Sequence, residues 1–144
     1  NSGRVLDLRS KAVMGVINCT PDSFFPASRY DSALTACRKA QEMVARGAKI
    51  IDIGGQSTRP GSDLVEPNEE CRRVLPLIEQ LRAVSDVTIS IDTMKVEVAE
   101  RALDAGADLI NDVSALSNSS MFILRVLSVH FPGFSLAVVS SSIR

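Results

Sequence analysis

One repeated pattern limits the fold of this chain more than any other feature. The segments ARGAKIIDIGG (45–55) and DAGADLINDVS (104–114) each end a helical pattern with Gly-Ala, then continue through an apolar run to polar residues. Glycine after a helix, followed by a short apolar run, indicates a helix that leads into a buried strand. The repeat therefore predicts an alternating α/β protein with parallel strands and right-handed connections.

Apolar spacing extends this alternation along most of the chain. The predicted strands are residues 12–17, 48–53, 87–91 and 107–113. Helical spacing of apolar residues predicts helices at 31–46, 66–85 and 95–105. Pro76 lies inside the second helix and is expected to kink or divide it, because proline removes a helical hydrogen bond. The strands are almost continuously apolar, which is typical of a parallel sheet covered on both faces.

Composition sets further limits. The 144 residues fit one ordinary domain, and a net charge of −1 gives no reason to expect a nucleic-acid or membrane partner. Three cysteines at no metal-like spacing are expected to be reduced thiols in the cytoplasm, because disulfide frameworks use even numbers. No signal-peptide pattern is present at the N-terminus.

The composition changes abruptly after Leu116. All 17 acidic residues precede residue 113, whereas residues 117–144 contain none and are rich in serine and apolar residues. Charged residues and a Pro-Gly pair interrupt this tail, so it does not fit the ~20 nearly uninterrupted apolar residues of a membrane span. We predict a domain at residues 1–116 and an unrelated tail at residues 117–144.

Polar side chains follow each predicted strand at its C-terminal end. They are Asn18, Asp52 with the loop 54–59, Asp92, and Asn111 with Asp112. Taken singly, each is an ordinary helix cap or turn residue. In a parallel barrel, however, these strand ends meet at one mouth, where ligands bind. We therefore expect the side chains of Asn18, Thr58, Asp92 and Asn111 to share one cavity.

The loop DIGGQSTRPG (52–61) carries the groups of an anion site. Its glycines allow close backbone approach to a ligand, its hydroxyls can donate hydrogen bonds, and Arg59 suits phosphate or carboxylate. Asp92 ends an apolar strand, where a carboxylate needs a partner. That partner is either an Arg or Lys of this chain or a ligand with two N–H donors. With Asn111 nearby, the pattern favours a heterocycle with an N–C–N edge beside an anion.

Three segments, in the same order, resemble dihydropteroate synthase. They are MGVINCTPDSFF (14–25), DIGGQSTRPGS (52–62) and SIDTMKVEVAERALDAGADLINDVSAL (90–116). The resemblance implies an α/β fold, the first four βα units of an incomplete TIM (β/α)8 barrel. It also implies a transferase of folate biosynthesis that joins 4-aminobenzoate to (7,8-dihydropterin-6-yl)methyl diphosphate, with Mg²⁺ as cofactor. The full-length family enzyme is expected to be a homodimer. Its location would be cytoplasmic, or mitochondrial if the chain is cut from a eukaryotic folate-pathway polypeptide.

The resemblance also implies roles for six residues. They are Asn18 for Mg²⁺, Thr58 and Arg59 for diphosphate, Asp92 and Asn111 for the pterin, and Phe24 as a cap over the aminobenzoate. No catalytic residue is assigned, because the amine can attack once the bond to diphosphate weakens.

The chain departs from the family pattern in two ways. Residues 25–28 read FPAS where the family usually has SDGG, which removes an acidic residue and adds Pro26. The similarity also stops at Leu116, and the later Asp, Lys and Arg-X-His motifs are not found in residues 117–144. Three interpretations follow: a synthase fragment, a truncated half barrel without activity, and the pterin-binding domain of a methyltetrahydrofolate methyltransferase. The sequences STRPG and TPDSF favour the synthase, and we expect the chain alone to be inactive.

Overall fold

A computed structural model describes residues 9, 11–20, 29–57 and 64–112 of the chain. Strands and helices alternate: β1 (Val13–Asn18), α1 (Arg29–Ala45), β2 (Ala48–Gly54), α2 (Pro67–Val84), β3 (Thr88–Asp92), α3 (Val96–Asp104) and β4 (Leu109–Asn111). The strands form one parallel sheet in the order β1-β2-β3-β4. The predicted α/β alternation with parallel strands is confirmed.

The repeated Gly-Ala signal marks the places where a helix ends and a strand follows. Gly47 and Gly106 have φ angles of 104° and 113°, a conformation that favours glycine. After α3, the Gly106 N–H donates to the Leu103 carbonyl and the Ala107 N–H donates to the Ala102 carbonyl, which satisfies carbonyls at the helix end. The glycines thus reverse the chain direction so that the next strand runs parallel to the last.

The apolar core lies between one face of the sheet and the three helices. Four isoleucines pair in register across the strands and are at most 4% exposed: Ile17, Ile53, Ile91 and Ile110. The helices contribute the buried residues Ala36, Cys37, Ala40, Val74, Leu77, Ile78, Leu81, Val98, Ala99 and Ala102 to the same core. Each fully buried isoleucine contributes about 1.5–3 kcal/mol of hydrophobic stabilisation.

Helix α2 continues through Pro76 from Pro67 to Val84. Of the two outcomes expected for Pro76, a division of the helix is wrong, and a kink stays a prediction. Its ring removes one backbone donor, but fully buried side chains before and after it, Val74 and Leu77 among them, hold both halves against the core. Packing of the amphipathic face outweighs the local preference.

The opposite face of the sheet is more polar than the almost continuously apolar strands suggest. Asp52 and Ser90 pair in register on this face, and both are buried. Val16 pairs with Asp52 and is 52% exposed. This face carries the polar side chains that form the candidate site.

Within the described ranges, no helix has the length and apolar character needed to cross a membrane. Residues 113–144 lie outside the described part, so the division of the chain at residues 116 and 117 stays a prediction.

Candidate functional site

The strand register places three of the four expected cavity residues in one row. Asn18 pairs with Gly54, Gly54 with Asp92, and Asp92 with Asn111. Residues in register on neighbouring parallel strands point to the same face of a sheet. The side chains of Asn18, Asp92 and Asn111 therefore leave the sheet at its C-terminal edge, on the face opposite the isoleucine row.

Gly54 leaves a gap in the middle of this row. A Cβ atom added at Gly54 would lie 3.4 Å from Asp92 Oδ2 and 3.7 Å from Asn18 Oδ1. Both oxygens therefore border the same space above the glycine. A glycine at this position lets a ligand approach the backbone between a carboxylate and an amide.

Asp92 is a carboxylate surrounded by other acids. Burial, followed by the charges of Asp52, Glu70 and Asp112, raises its pKa to about 6. Among the described residues, no hydrogen bond or ion pair reaches its side chain. The alternative that an Arg or Lys of this chain pairs with Asp92 finds no support there. A ligand with N–H donors would supply the missing partner.

Asp52 is a site residue to which sequence reasoning gave no role. It lies two residues before Gly54 in β2, is 4% exposed, and its Oδ2 accepts a 3.1 Å hydrogen bond from Asn111 Nδ2. Burial raises the pKa of Asp52, an effect that Ser90 and Asn111 partly counter. Its other oxygen, Oδ1, is buried without a hydrogen-bond partner in the described part of the chain. The period of the strand could have identified Asp52 as a site residue, because Asp52 lies two residues before Gly54 and residues two apart in a strand share a face.

The hydrogen bond to Asp52 fixes the orientation of the Asn111 side-chain amide. With its Nδ2 group directed to Asp52, the amide of Asn111 keeps its carbonyl oxygen as an acceptor for a ligand. Asp92 and Asn111 thus offer acceptors on adjacent strands, next to the buried Asp52 carboxyl.

Three predicted site residues, Phe24, Thr58 and Arg59, lie outside the described residues. The structure describes the two ends of the loop that contains Thr58 and Arg59. Gln56 lies at its start, and Val65 lies at its end. The Val65 N–H donates to Gln56 Oε1 at 3.3 Å, so the two ends are joined.

The described residues include no cluster of three or more acidic, histidine or cysteine side chains suited to a metal ion. Mg²⁺ commonly keeps several waters and takes one or two protein oxygens together with substrate phosphate oxygens. Asn18 is exposed, and its amide oxygen borders the space above Gly54, so it could serve as one such protein oxygen.

Comparisons with known proteins identify the family. Residues 14–131 match the family described as pterin binding enzyme. A dihydropteroate synthase of Synechocystis sp. is 54% identical over 102 residues, which cover 71% of this chain and 35% of the relative. A dihydropteroate synthase of Streptococcus pyogenes serotype M18 is 46% identical over 123 residues, which cover 85% of this chain and 46% of the relative.

A solved structure agrees with the sequence matches. Xanthomonas albilineans dihydropteroate synthase with 4-aminobenzoic acid superposes with a TM-score of 0.80 at 40% identity, covering 93% of this chain and 52% of that chain. The chain thus spans about half or less of the length of these relatives. Because the family match covers more than half of its residues, this chain belongs to the pterin-binding enzyme family.

Proposed function

We propose that this chain binds a dihydropterin diphosphate and serves the dihydropteroate synthase reaction. In that reaction, 4-aminobenzoate displaces diphosphate from (7,8-dihydropterin-6-yl)methyl diphosphate. The observation that carries the proposal is the Asp92 carboxylate, which pairs with no described residue and lies in a row of polar strand ends. The relatives named as dihydropteroate synthases support this reaction over a methyltransferase.

Asp92 and Asn111 are the proposed pterin contacts. The pterin ring presents two parallel N–H groups on an N–C–N edge, and an ionised carboxylate can accept both. Hydrogen bonds to a charged group contribute about 1.5–3 kcal/mol each. Asn111, held by Asp52, supplies an acceptor next to this edge.

The diphosphate is proposed to lie toward Asn18, Thr58 and Arg59. Neighbouring strands lie about 4.8 Å apart, so the backbones at Asn18 and Asp92, two strands apart, are separated by roughly 10 Å. That length suits a bicyclic ring joined through one carbon to a phosphate group. Asn18, with phosphate oxygens of the substrate, would hold Mg²⁺, which when bound supplies positive charge to the departing diphosphate.

Substitution of Asp92 tests the pterin contact. In calorimetry of the 144-residue chain with a dihydropterin, Asp92→Asn should weaken binding by at least about tenfold, since two charge-assisted bonds are lost. Asp104→Asn, at an exposed position at the end of α3, is the matched control and should bind like the unchanged chain. Equal affinity of the Asp92→Asn and Asp104→Asn variants would contradict the proposed role of Asp92.

A further inference from the structure

The side-chain amide of Asn111 bonds to a distant carboxylate rather than to the one beside it. Asn111 pairs in register with Asp92 on the neighbouring strand β3. Its Nδ2 group nevertheless donates at 3.1 Å to Asp52 Oδ2 on β2, which is two strands away in the sheet order. Among the described residues, no hydrogen bond links Asn111 to Asp92. Two carboxylates are thus alternative acceptors for one amide donor, and Asp52 accepts its hydrogen bond.

Asp52 lies one row before the site on the same face of the sheet. It pairs in register with Ser90 of β3, and both lie two residues before the row that contains Gly54 and Asp92. Side chains two residues apart on a strand point to the same side of the sheet. The Asn111 side chain therefore crosses β3 on this face to reach Asp52.

The carboxylate of Asp92 is turned away from Asn111. Its Oδ2 and Cβ atoms lie 3.4 and 3.5 Å from the position of a Cβ atom added at Gly54. Gly54 belongs to β2, so the Asp92 carboxylate lies toward β2 and not toward Asn111 on β4. The Asp92 oxygens thus border the space above Gly54, while the Asn111 Nδ2 group bonds elsewhere.

Without an acceptor at position 52, the Asn111 amide would turn to Asp92. Hydrogen bonds to an ionised acceptor are stronger than those between neutral groups, and Asp92 is the register neighbour of Asn111. A bond between Asn111 and Asp92 would occupy the carboxylate, so the N–H groups of a ligand would have to displace it. Asp52 prevents this competing bond within the site.

Stability alone is a weak reason for a carboxylate at position 52. Asp52 is 4% exposed, and its Oδ1 is buried with no hydrogen-bond partner in the described part of the chain. Burial of a charged group that is incompletely hydrogen-bonded lowers stability. A residue that lowers stability next to a ligand site indicates a role in binding the ligand.

We propose that Asp52 is a positioning residue that keeps Asp92 available for the heterocycle. By accepting the hydrogen bond from Asn111 Nδ2, Asp52 holds the amide off Asp92 and leaves the Asn111 carbonyl oxygen available to the ligand. The inference rests on the proposed function for the identity of the ligand. It extends that function to a side chain that acts through Asn111 and does not itself contact the ligand.

Calorimetry of the 144-residue chain with 6-hydroxymethyl-7,8-dihydropterin, which lacks the diphosphate, tests this role. Asp52→Val removes the acceptor and places a residue suited to strands in β2. It should weaken dihydropterin binding by about tenfold, which corresponds to 1.4 kcal/mol. Asp104→Val, at an exposed position at the end of α3, removes the same charge and is the matched control. It should leave the dihydropterin affinity unchanged.

A second substitution separates positioning from a general effect on the structure. Asn111→Ala removes the amide that would turn to Asp92. The Asp52→Val/Asn111→Ala double variant should bind the dihydropterin within about twofold of Asn111→Ala, because the effects of coupled residues are not additive. The double variant should also bind more tightly than Asp52→Val, since the competing amide is absent.

Crystal structures without ligand show the position of the amide directly. In the Asp52→Val variant, Asn111 Nδ2 should lie within hydrogen-bond distance of an Asp92 carboxylate oxygen. If Asp52→Val does not fold, Asp52→Asn keeps the shape of the side chain and should give the same changes to a smaller extent. The smaller extent is expected because an amide oxygen is a weaker acceptor than a carboxylate.

The outcomes separate this inference from the function on which it rests. An unchanged chain that does not bind the dihydropterin contradicts the proposed function, whereas an Asn111 amide that stays away from Asp92 in the variant contradicts the role of Asp52. An unchanged chain that binds, with Asp52→Val behaving like Asp104→Val, also contradicts the role of Asp52. Equal losses from Asp52→Val with and without the Asn111 side chain contradict it as well, because they indicate a general structural effect.

Discussion

The folded chain disfavours the ionised form of Asp92. Its pKa in the folded chain is about 6, above the ordinary value of 3.8, because of burial and three neighbouring acids. The folded chain therefore binds the Asp92 proton more tightly than the unfolded chain does. The free energy of unfolding should fall as the pH rises from about 4 to about 6 through this residue, and should stay lower above that range.

Asp92→Asn should accordingly stabilise the folded chain at neutral pH. The asparagine keeps the shape and removes the charge that burial disfavours, so we expect a gain on the order of 1 kcal/mol at pH 7.5 after solvent screening. The gain should shrink as the pH falls through 6 toward 4, where Asp92 becomes protonated in the folded chain. Urea unfolding at pH 7.5, 6 and 4.5 measures it.

Asp104→Asn is the control for this experiment, since the same change at an exposed site should alter stability little at any of these pH values. Lower stability of Asp92→Asn at pH 7.5 would indicate that Asp92 has a cationic partner outside the described residues, and would contradict this prediction. If Asp92→Asn gains stability and loses dihydropterin binding, the Asp92 carboxylate lowers stability but is needed for ligand binding.

The role of Asp92 could be predicted from the sequence, whereas the role of Asp52 could not. Asp92 ends an apolar strand, so its need for a partner was readable from one position. Asp52 acts through Asn111 on another strand, 59 positions along the chain. A contact of that kind depends on strand order and register, which a single sequence does not provide.

At the scale of elements, the alternation of strands and helices was predictable from the sequence, whereas the first residue of β4 was not. The first three strands lie within one residue of their predicted bounds, because their apolar runs end at Asn18, Gly54 and Asp92. The fourth was predicted from residue 107 but begins at Leu109. The Ala107 N–H closes the helix before it, and the Asp108 carboxylate accepts a bond from the Ile89 N–H. The contact between Asp108 and Ile89 joins residues 19 positions apart, so the local sequence does not indicate it.

Arg82 joins three elements near the N-terminal ends of β3 and β4. Its guanidinium donates to Asp108 Oδ2 at 2.5 Å and to three backbone carbonyls, those of Ser85, Val87 and Gly106. Arg82→Met would leave these acceptors without their charged donor. We expect a loss of about 2 kcal/mol in the free energy of unfolding, measured by urea denaturation.

Arg72→Met on the same helix is the matched control. The side chain of Arg72 is 58% exposed, and within the described residues it pairs with its helix neighbour Glu69. Its removal should change stability by less than about 0.5 kcal/mol. Equal effects of the two substitutions would contradict the view that Arg82 links α2 to the two strands.

At the scale of the whole molecule, the described sheet supplies four parallel strands, whereas a (β/α)8 barrel closes with eight. The four strands bring Asn18, Asp92 and Asn111 into one row, which is enough to contact one side of a small ligand. The family match reaches residue 131, beyond the change in composition at Leu116. Composition and family similarity thus divide the chain at different places, and sequence patterns alone do not decide between them.

We predict that the 144-residue chain binds a dihydropterin but forms no dihydropteroate. Binding needs one complementary edge, which Asp92 and Asn111 offer. Turnover needs 4-aminobenzoate, the pterin carbon and the diphosphate in one fixed geometry, and such positioning contributes on the order of 7–11 kcal/mol to lowering the barrier. The four strands in the described part of the chain supply only part of the enclosure that an eight-stranded barrel provides. Chromatography after incubation with both substrates and Mg²⁺ should show no product, with the Synechocystis relative as the positive control. Product above background from the purified chain would contradict this prediction.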